Sequence, residues 1–395
     1  MLNTNFSPWP SFSQEEVDAV SSVLLSNRVN YWTGSKCREF ENEFAKWCNV
    51  DYSVALANGT LALDSAFKAL EISKGDEVIV TSRTFIASVS SIVNAGATPI
   101  FVDVDLDSQN IDPQLIKKNV TSKTKAIVCV HLAGWPCEMD EINQIASDNN
   151  LFVIEDCSQA HGAKYKGNPV GSIGDIGCWS FCQDKIISTG GEGGMVTTNN
   201  KNLWKKMWSY KDHGKDFDLA HKRAPSNVYR YIHDSFGTNW RMTEMQAVIG
   251  LLQLNKMDYW HKKRNENANQ IWQTARKCRA LRVPIFGKHV QHAAYKCYLF
   301  VENSLIKSTW DRERIINEIK DLGVPCYSGT GSEVYLEKSF ENSQFRPKIR
   351  LPNAKKLGED SLMFLVHPTL SSFEINKTCD AISNVMSRAA KENDK

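Results

Sequence analysis

The amino-acid sequence predicts an α/β protein in which a mostly parallel central sheet is flanked by helices. From about residue 50 to residue 200, short β-branched runs alternate with segments of helical period, and internal repeats are absent. Such alternation implies right-handed crossovers between parallel strands. Helices then cover both faces of the sheet, and ligands bind beyond the carboxyl ends of its strands.

The predicted elements follow one another in a regular order. A capping-box pattern at Ser13 and Glu16 opens a first helix, and REFENEFAKW at 38–47 predicts a second. Strands are expected at 54–57, 77–80, 99–104, 125–130 and 151–156. The segments LALDSAFKAL and SVSSIVNAG between these strands predict helices.

The second half of the chain predicts a smaller α/β domain. Apolar residues repeat at helical spacing to mark one helix face, at Met245, Val248, Ile249 and Leu252. Downstream, a strand is expected within 293–303, and DRERIINEIKDLG and FEINKTCDAISNVMSRA predict helices. Because 395 residues exceed what one core usually supports, we expect a large domain over 1–258 and a small C-terminal domain over 259–395.

Charge and cysteine usage exclude several classes of function. The 47 basic and 45 acidic residues leave a net charge of only +2, which predicts neither nucleic-acid nor membrane partners. The 11 cysteines form no C-x-x-C pair, so we expect reduced thiols and no metal site. The amino terminus lacks a signal-peptide pattern and no stretch is apolar enough to span a bilayer, which predicts a cytoplasmic protein.

Three segments carry residues that are suited to chemistry. ALANGTLAL places Asn58, Gly59 and Thr60 at a strand-to-helix turn, where free N–H groups and the helix dipole attract anions. VIEDCSQAHG puts Asp156 at a strand end, where its carboxylate can hold a protonated ring nitrogen or merely cap a helix. In SFCQDKIISTGGEGG, Lys185 precedes a glycine-dense loop, and a lysine so placed can lose its proton and act as a nucleophile.

In their order along the chain, these segments resemble the DegT/DnrJ/EryC1/StrS family of sugar aminotransferases, a branch of the fold type I pyridoxal 5'-phosphate enzymes. The resemblance runs from about YWTGSKCREFENEFA to the HPTL near residue 370. Its specific pieces are ANGTLAL, RTFIASVSSIVNAGATPIFVDVD, HLAGWPCEMD, IEDCSQAHGA, SFCQDKIISTGGEGG and GTNWRMTEMQAVIG.

The resemblance implies a role for each matching residue. Lys185 is expected to bind pyridoxal 5'-phosphate covalently and to move the proton between substrate and cofactor, and Asp156 to pair with the pyridinium nitrogen. The other expected cofactor contacts are Gln159 to the phenolic oxygen, Phe85 to the ring face, and Gly59, Thr60 and Ser180 to the phosphate. Asn239 is expected to reach the phosphate of a neighbouring subunit, which implies a homodimer.

The resemblance also implies the reaction. A dehydratase branch of the family carries histidine in place of this lysine, so Lys185 favours transamination. An amino donor, expected to be L-glutamate, leaves its amine on the cofactor, and a keto sugar then takes it up with ping-pong kinetics. Such products serve cell-surface polysaccharide or lipopolysaccharide biosynthesis.

The identity of the keto sugar stays open between two alternatives. Many nucleotide-sugar members carry a tyrosine, then a proline and a histidine, in the loop after a downstream helix. Here Tyr327 is present, but the residues at 329–332 read GTGS. A nucleotide-linked 4-keto-6-deoxyhexose is the preferred acceptor, and 8-keto-3-deoxyoctulosonate, aminated to an 8-amino sugar acid of lipopolysaccharide, is the alternative.

Other roles have less support in the sequence. A nicotinamide-dependent oxidoreductase needs G-x-G-x-x-G after its first strand, and ALANGTLAL does not supply it. A non-catalytic regulator would have no need to keep both Lys185 and Asp156. His213 and His367 are further residues that could approach a substrate, although a structural role is at least as good an explanation for each.

Overall fold

The computed structural model describes residues 6–222 and 230–392, and it confirms the α/β fold. The helices are α1 Gln14–Leu25, α2 Lys36–Trp47, α3 Gly59–Ala69, α4 Ala87–Asn94, α5 Pro113–Asn119, α6 Met139–Asn149, α7 Lys201–Lys211, α8 Phe217–His221, α9 Glu244–Leu254, α10 Met257–Ala275, α11 Arg312–Asp321, α12 Pro352–Asp360 and α13 Ser372–Ala389. The strands are β1 Tyr52–Leu56, β2 Glu77–Thr81, β3 Thr98–Val102, β4 Thr124–Val130, β5 Phe152–Asp156, β6 Lys164–Tyr165, β7 Asn168–Pro169, β8 Ile176–Ser180, β9 Gly194–Thr198, β10 Leu281–Arg282, β11 Val290–Gln291, β12 Cys297–Val301 and β13 Ser361–Phe364.

The central sheet has seven strands in the order β1-β9-β8-β5-β4-β2-β3. Neighbouring strands from β3 to β8 are parallel, whereas β9 runs antiparallel to both β1 and β8. Every residue of β8 and β9 is buried, as expected where helices cover both faces of a sheet. The prediction of a mostly parallel sheet flanked by helices is therefore confirmed.

The predicted elements before and within this sheet also agree with the structure. The five predicted strands correspond to β1 to β5, with ends that differ by no more than a few residues. The capping box at the start of α1 is present, since the Ser13 N–H donates to Glu16 Oε2 at 2.7 Å. Local signals in the sequence thus placed these elements correctly.

The predicted apolar face of α9 is only partly the buried one. Val248 is buried, but Met245, Ile249 and Leu252 are half-buried. The face that packs most closely contains Gly250, where a Cβ atom would lie 2.5 Å from the Phe40 ring of α2. Periodicity pointed to the largest apolar side chains, whereas the close approach of α2 depends on the smallest residue of the helix.

The C-terminal part contains a three-stranded sheet in the order β10-β12-β13, against which α10, α11 and α12 pack, while α13 packs on α10 and α11. α10 crosses residue 258, and the division of the chain at that point stays a prediction. In 6–222 and 230–392, no helix combines the length and the apolar character that a bilayer crossing requires. All eleven cysteines are free thiols, and nine of them are buried, as the sequence predicts.

Candidate active site

A cavity of about 820 Å³ lies at the carboxyl ends of the central strands. It brings together seven of the eight site residues predicted from the sequence: Gly59, Thr60, Phe85, Asp156, Gln159, Ser180 and Lys185. We call Gly59, Thr60, Asp156, Gln159, Ser180 and Lys185 the sheet end of the cavity. The opposite side, which we call the C-terminal wall, consists of Tyr295, Lys296, Tyr298, Thr330 and Glu333.

The start of α3 forms a cradle for an anion. Asn58 caps this helix, because its Oδ1 accepts from the Leu61 N–H at 3.0 Å. The N–H groups of Gly59 and Thr60 have no acceptor among the described residues. Gly59 lies directly against Ser180, since a Cβ atom at position 59 would be 2.5 Å from Ser180 Cβ. Free N–H groups, the helix dipole and an adjacent hydroxyl together suit a phosphate.

Asp156 is a nearly buried carboxylate without a cationic partner. It ends β5 and is only 6% exposed. Its Oδ2 accepts from Ser88 Oγ at 2.7 Å, and its Oδ1 accepts from the Ser158 N–H at 3.1 Å. No lysine, arginine or histidine of the described chain lies within 4.0 Å of it. Because burying an unpaired charge is costly, a ligand cation in the cavity would stabilise this carboxylate.

A tight turn after β4 orients Gln159 and one end of the C-terminal wall. The Ala133 N–H donates to Gln159 Oε1 at 2.8 Å, and the Ala133 carbonyl accepts from the Tyr295 N–H at 3.0 Å. Ala133 has a φ of 56°, a left-handed conformation that is unfavourable for alanine and is held here by both bonds. Because Gln159 uses its oxygen in this way, its NH₂ group remains able to donate into the cavity.

Lys185 follows the carboxyl end of β8 and lines the cavity with its side chain half-buried. Its backbone carbonyl accepts from Trp9 Nε1 at 2.8 Å, and its Nζ lies 5.3 Å from the centre of the Tyr295 ring. Tyr295 donates its hydroxyl hydrogen to Asp184. Burial is the main cause that raises the pKa of Tyr295 well above its usual range, and the negative charge of Asp184 is the second. This hydroxyl therefore keeps its proton. The aromatic ring and the backbone contact both limit where the amine can lie.

Sequence reasoning pointed to the loop at 329–332 but missed Tyr295, Lys296 and Tyr298 of the C-terminal wall. Tyr298 donates to Thr330 Oγ1 at 3.3 Å and accepts from the Thr330 N–H at 2.9 Å, which ties β12 to the loop at 329–333. Gly329 adopts a φ of 86°, and a Cβ atom there would lie 2.4 Å from the Tyr298 ring. Polar residues at the start of an apolar strand, as in YKCYLFV, are the signal that was available for Tyr295 and Lys296.

Three other candidates lie outside the cavity lining. Asn239 is exposed and pairs through its backbone with Asp212. His213 is exposed too, and its N–H donates to the Thr238 carbonyl at 2.8 Å. His367 is buried, its ring stacks on Trp9 at 5.8 Å, and burial lowers its pKa to about 3. Neither histidine lines the cavity.

A buried cluster beneath the sheet end has ligand-type atoms but is already internally satisfied. Atoms of His131, Glu155 and Cys157 lie within 4.8 Å of one another. The His131 Nε2 and Glu155 Oε2 atoms are 3.0 Å apart. Glu155 also accepts three backbone N–H groups, from Gly171, Ile173 and Gly174. These bonds give the cluster a structural role under the cavity.

The family model of the DegT/DnrJ/EryC1/StrS aminotransferases matches residues 10–383. The chain belongs to this family. It is therefore an aminotransferase by family, and the α/β fold with its mostly parallel sheet is the one that its structural neighbours share. The order of the motifs read from the sequence is thus confirmed as a family pattern.

Relatives of this aminotransferase cover nearly its whole length. GDP-perosamine synthase of Escherichia coli O157:H7 is 37% identical over 96% of this chain and 97% of its own. The dTDP-3-amino-3,6-dideoxy-alpha-D-galactopyranose transaminase of Aneurinibacillus thermoaerophilus is 40% identical, with 94% and 95% covered. The X-ray structure of the aminotransferase from Psychrobacter cryohalolentis is 60% identical with a TM-score of 0.95, and 97% of this chain and 99% of that chain are covered.

Proposed function

We propose that this aminotransferase uses pyridoxal 5'-phosphate to move an amino group from L-glutamate to a keto sugar. The observation that carries the proposal is that Lys185 and Asp156 line one cavity beside an anion cradle. A protonated ring nitrogen would supply the cation that Asp156 lacks, and Gly59, Thr60 and Ser180 would hold the phosphate. Phe85, which is 67% exposed toward the cavity and its opening, would cover the ring.

When bound, the cofactor supplies an aldehyde that accepts an amino group and a ring that withdraws electron density from the reacting carbon. The protein groups then have separate tasks. Lys185 Nζ takes a proton from the substrate carbon and returns it on the cofactor side. Asp156, fixed by Ser88 and Ser158, keeps the ring nitrogen protonated. Gln159 donates its NH₂ group to the phenolic oxygen.

We propose a nucleotide-linked 4-keto-6-deoxyhexose as the acceptor. The names of two relatives support the nucleotide link, because GDP-perosamine and a dTDP-linked 3-amino-3,6-dideoxygalactose are both nucleotide-bound amino sugars. The product would enter a cell-surface polysaccharide or lipopolysaccharide. A cytoplasmic location, and the absence of nucleic-acid and membrane partners, stay predictions from composition.

The test is a substrate comparison with purified, cofactor-saturated protein. The protein is offered L-glutamate with a 4-keto nucleotide sugar and, separately, with 8-keto-3-deoxyoctulosonate. We expect 2-oxoglutarate to exceed one equivalent per site, and so to report turnover, only in the first reaction. Turnover of the octulosonate alone would replace the acceptor and leave the transaminase chemistry intact. A colourless protein that ignores pyridoxal 5'-phosphate but binds NAD would overturn the proposed function.

We further propose that the working unit is a homodimer in which Asn239 completes the neighbouring site. Asn239 is exposed and does not line the cavity of its own chain, so a phosphate contact would have to come from a second copy. Co-expression of Lys185→Ala and Asn239→Ala chains tests this. Random pairing leaves one intact site in each mixed dimer, so activity should return to about a quarter of the wild-type value. No recovery would show that Asn239 does not act across the interface.

A further inference from the structure

Lys296 presents an amine to the cavity without an anionic partner. It precedes β12, its side chain is half-buried, and it belongs to the C-terminal wall. No carboxylate within the described ranges lies within 4.0 Å of its Nζ atom. This Nζ atom lies 4.7 Å from the centre of the Tyr295 ring. A half-buried cation without an ion pair is ready to bind an anionic ligand.

The charges around Lys296 favour an incoming anion. Burial, opposed by the charge of Asp184 and reinforced by the cations Arg264 and Lys185, lowers the pKa of Lys296 to about 8. The nearest acid is already engaged, because Asp184 accepts the Tyr295 hydroxyl. Arg264 is buried, and its Nε and Nη2 atoms have no hydrogen-bond partner among the described residues. Lys296 and Arg264 thus have no anionic partner among the described residues, whereas Asp184 is engaged by Tyr295 and Glu333 of the same wall is paired with Arg350.

The position of Lys296 indicates which anion it would meet. The Nζ atoms of Lys185 and Lys296 both lie within 5.3 Å of the centre of the same Tyr295 ring. The Lys296 Nζ atom is therefore no more than about 10 Å from the amine that handles the reacting carbon. An α-amino acid carries its carboxylate on the reacting carbon itself. A keto hexose instead has uncharged hydroxyl groups beside its carbonyl.

We propose, building on the transaminase function above, that Lys296 binds the α-carboxylate of the amino donor. Lys296 thereby selects amino acids over simple amines and holds the reacting carbon beside Lys185. When the donor leaves as a keto acid, the same amine is free again, and the uncharged part of the sugar can occupy the space.

The experiment measures the first half-reaction of the holoenzyme. L-Glutamate is added alone, and the loss of absorbance of the cofactor's aldehyde form is followed. Lys296→Met should raise the half-saturating glutamate concentration by about 10- to 100-fold, because a hydrogen bond to a charged group is lost. Lys296→Arg keeps the charge and should recover most of the affinity. Lys262→Met removes an exposed lysine outside the cavity and should have no effect.

A second probe identifies the carboxylate that is bound. 4-Aminobutyrate keeps the side-chain carboxylate of glutamate but lacks the α-carboxylate. The unaltered enzyme should prefer glutamate strongly, and Lys296→Met should lose most of that preference. 2-Methylglutamate, which has no α-proton to transfer, gives the same comparison as a binding equilibrium without turnover. An unchanged preference in the variant would overturn the proposal.

The outcomes separate this inference from the proposed function. If the unaltered holoenzyme reacts with no amino acid, the transaminase function fails and the donor site fails with it. If the unaltered enzyme reacts and Lys296→Met has the same half-saturating concentration, only the role of Lys296 is overturned. A higher KM for the keto sugar with unchanged glutamate binding would also overturn it, since Lys296 would then serve the acceptor.

Discussion

The two sides of the cavity come from different parts of the chain and follow different rules. The sheet end is built from residues between 59 and 185 that end a strand, lie just after one or begin the helix that follows one. The C-terminal wall is built from residues 295–333, which reach the cavity through β12 and an irregular loop. Parallel α/β topology fixes the first side, whereas tertiary packing fixes the second.

This difference explains how the work is divided in the proposed function. The sheet end offers a phosphate cradle and an unpaired carboxylate, groups that suit an invariant cofactor. The C-terminal wall offers an amine without a partner and a loop that is tied to Tyr298, groups that would meet the variable substrates. Substitutions should therefore separate cofactor binding from substrate binding according to the side they alter.

Lys185→Ala should have the largest effect. Loss of the amine that moves the proton is expected to reduce transamination by about 10³-fold or more, because general acid–base catalysis of this kind contributes up to about 10⁴-fold. Borohydride treatment of the unaltered enzyme, followed by peptide mass analysis, should fix the cofactor on Lys185. A label on Lys296, the other lysine of the described cavity lining, would reverse the assignment of the two sides.

Asp156→Asn should have the next largest effect. The amide cannot compensate the charge of a protonated ring nitrogen, and removal of one member of a buried ion pair costs about 3–5 kcal/mol. We expect kcat/KM to fall by roughly 10²-fold or more at saturating cofactor. Ser88→Ala is the matched milder change, since it removes the 2.7 Å hydrogen bond to Asp156 and the bond between Ser88 and Thr84 but keeps the carboxylate. A larger loss in Ser88→Ala than in Asp156→Asn would contradict the role of the carboxylate.

Gly59→Ala and Gly331→Ala compare the two sides directly. A Cβ atom at position 59 would lie 2.5 Å from Ser180 Cβ, whereas a Cβ atom at position 331 meets nothing within 4 Å. Gly59→Ala should raise the Kd of pyridoxal 5'-phosphate by about 10-fold or more, because the added methyl group overpacks the cradle. Equal cofactor affinities of the two variants, measured by fluorescence titration, would show that the cradle does not hold the phosphate.

Gly329→Ala should affect the C-terminal wall alone. Alanine is strained at a φ of 86°, and its Cβ atom would lie 2.4 Å from the Tyr298 ring, so the loop must shift. We expect the KM of the keto sugar to rise about 3- to 10-fold, with the Kd of the cofactor unchanged. Steady-state kinetics with varied acceptor measures this. A weaker cofactor affinity without a change in KM would argue against separate sides.

Lys296→Met should have the smallest effect, on stability. The pKa of Lys296 is about 8 in the folded protein and near its ordinary value of about 10.4 in the unfolded chain. Burial of the ammonium group therefore destabilises the folded wild type fully below pH 8, and the penalty disappears as the pH rises toward 10.4. The variant should exceed the wild type in Tm by about 1–3 °C at pH 7.

The pH dependence supplies the check on this last prediction. The Tm advantage of Lys296→Met should shrink between pH 8 and pH 10, whereas Lys262→Met should match the wild type throughout. Titratable groups around Lys296 are Tyr295, Asp184, Lys185, Arg264 and His367, and they are common to all three proteins. An advantage that does not change with pH would indicate a packing effect instead of a relieved charge.

The amino-acid sequence by itself determined the strand and helix order, the mostly parallel sheet and the residues of the sheet end. The elements follow from local periodicity and from the rule that parallel strands present their carboxyl ends at one edge, and the resemblance to the aminotransferase family supplied Gln159 and Ser180. Gly59, Asp156 and Lys185 could be found because each stands next to a recognisable strand or turn.

Only the tertiary structure decided which residues lie across the cavity from the sheet end. Tyr295 and Lys296 lie more than a hundred residues beyond Lys185, and no local pattern tells which distant strand will close a cavity. The left-handed Ala133 and the close packing of Gly250 on Phe40 were invisible for the same reason. Local signals specify elements, but contacts between elements depend on the packing of the whole chain.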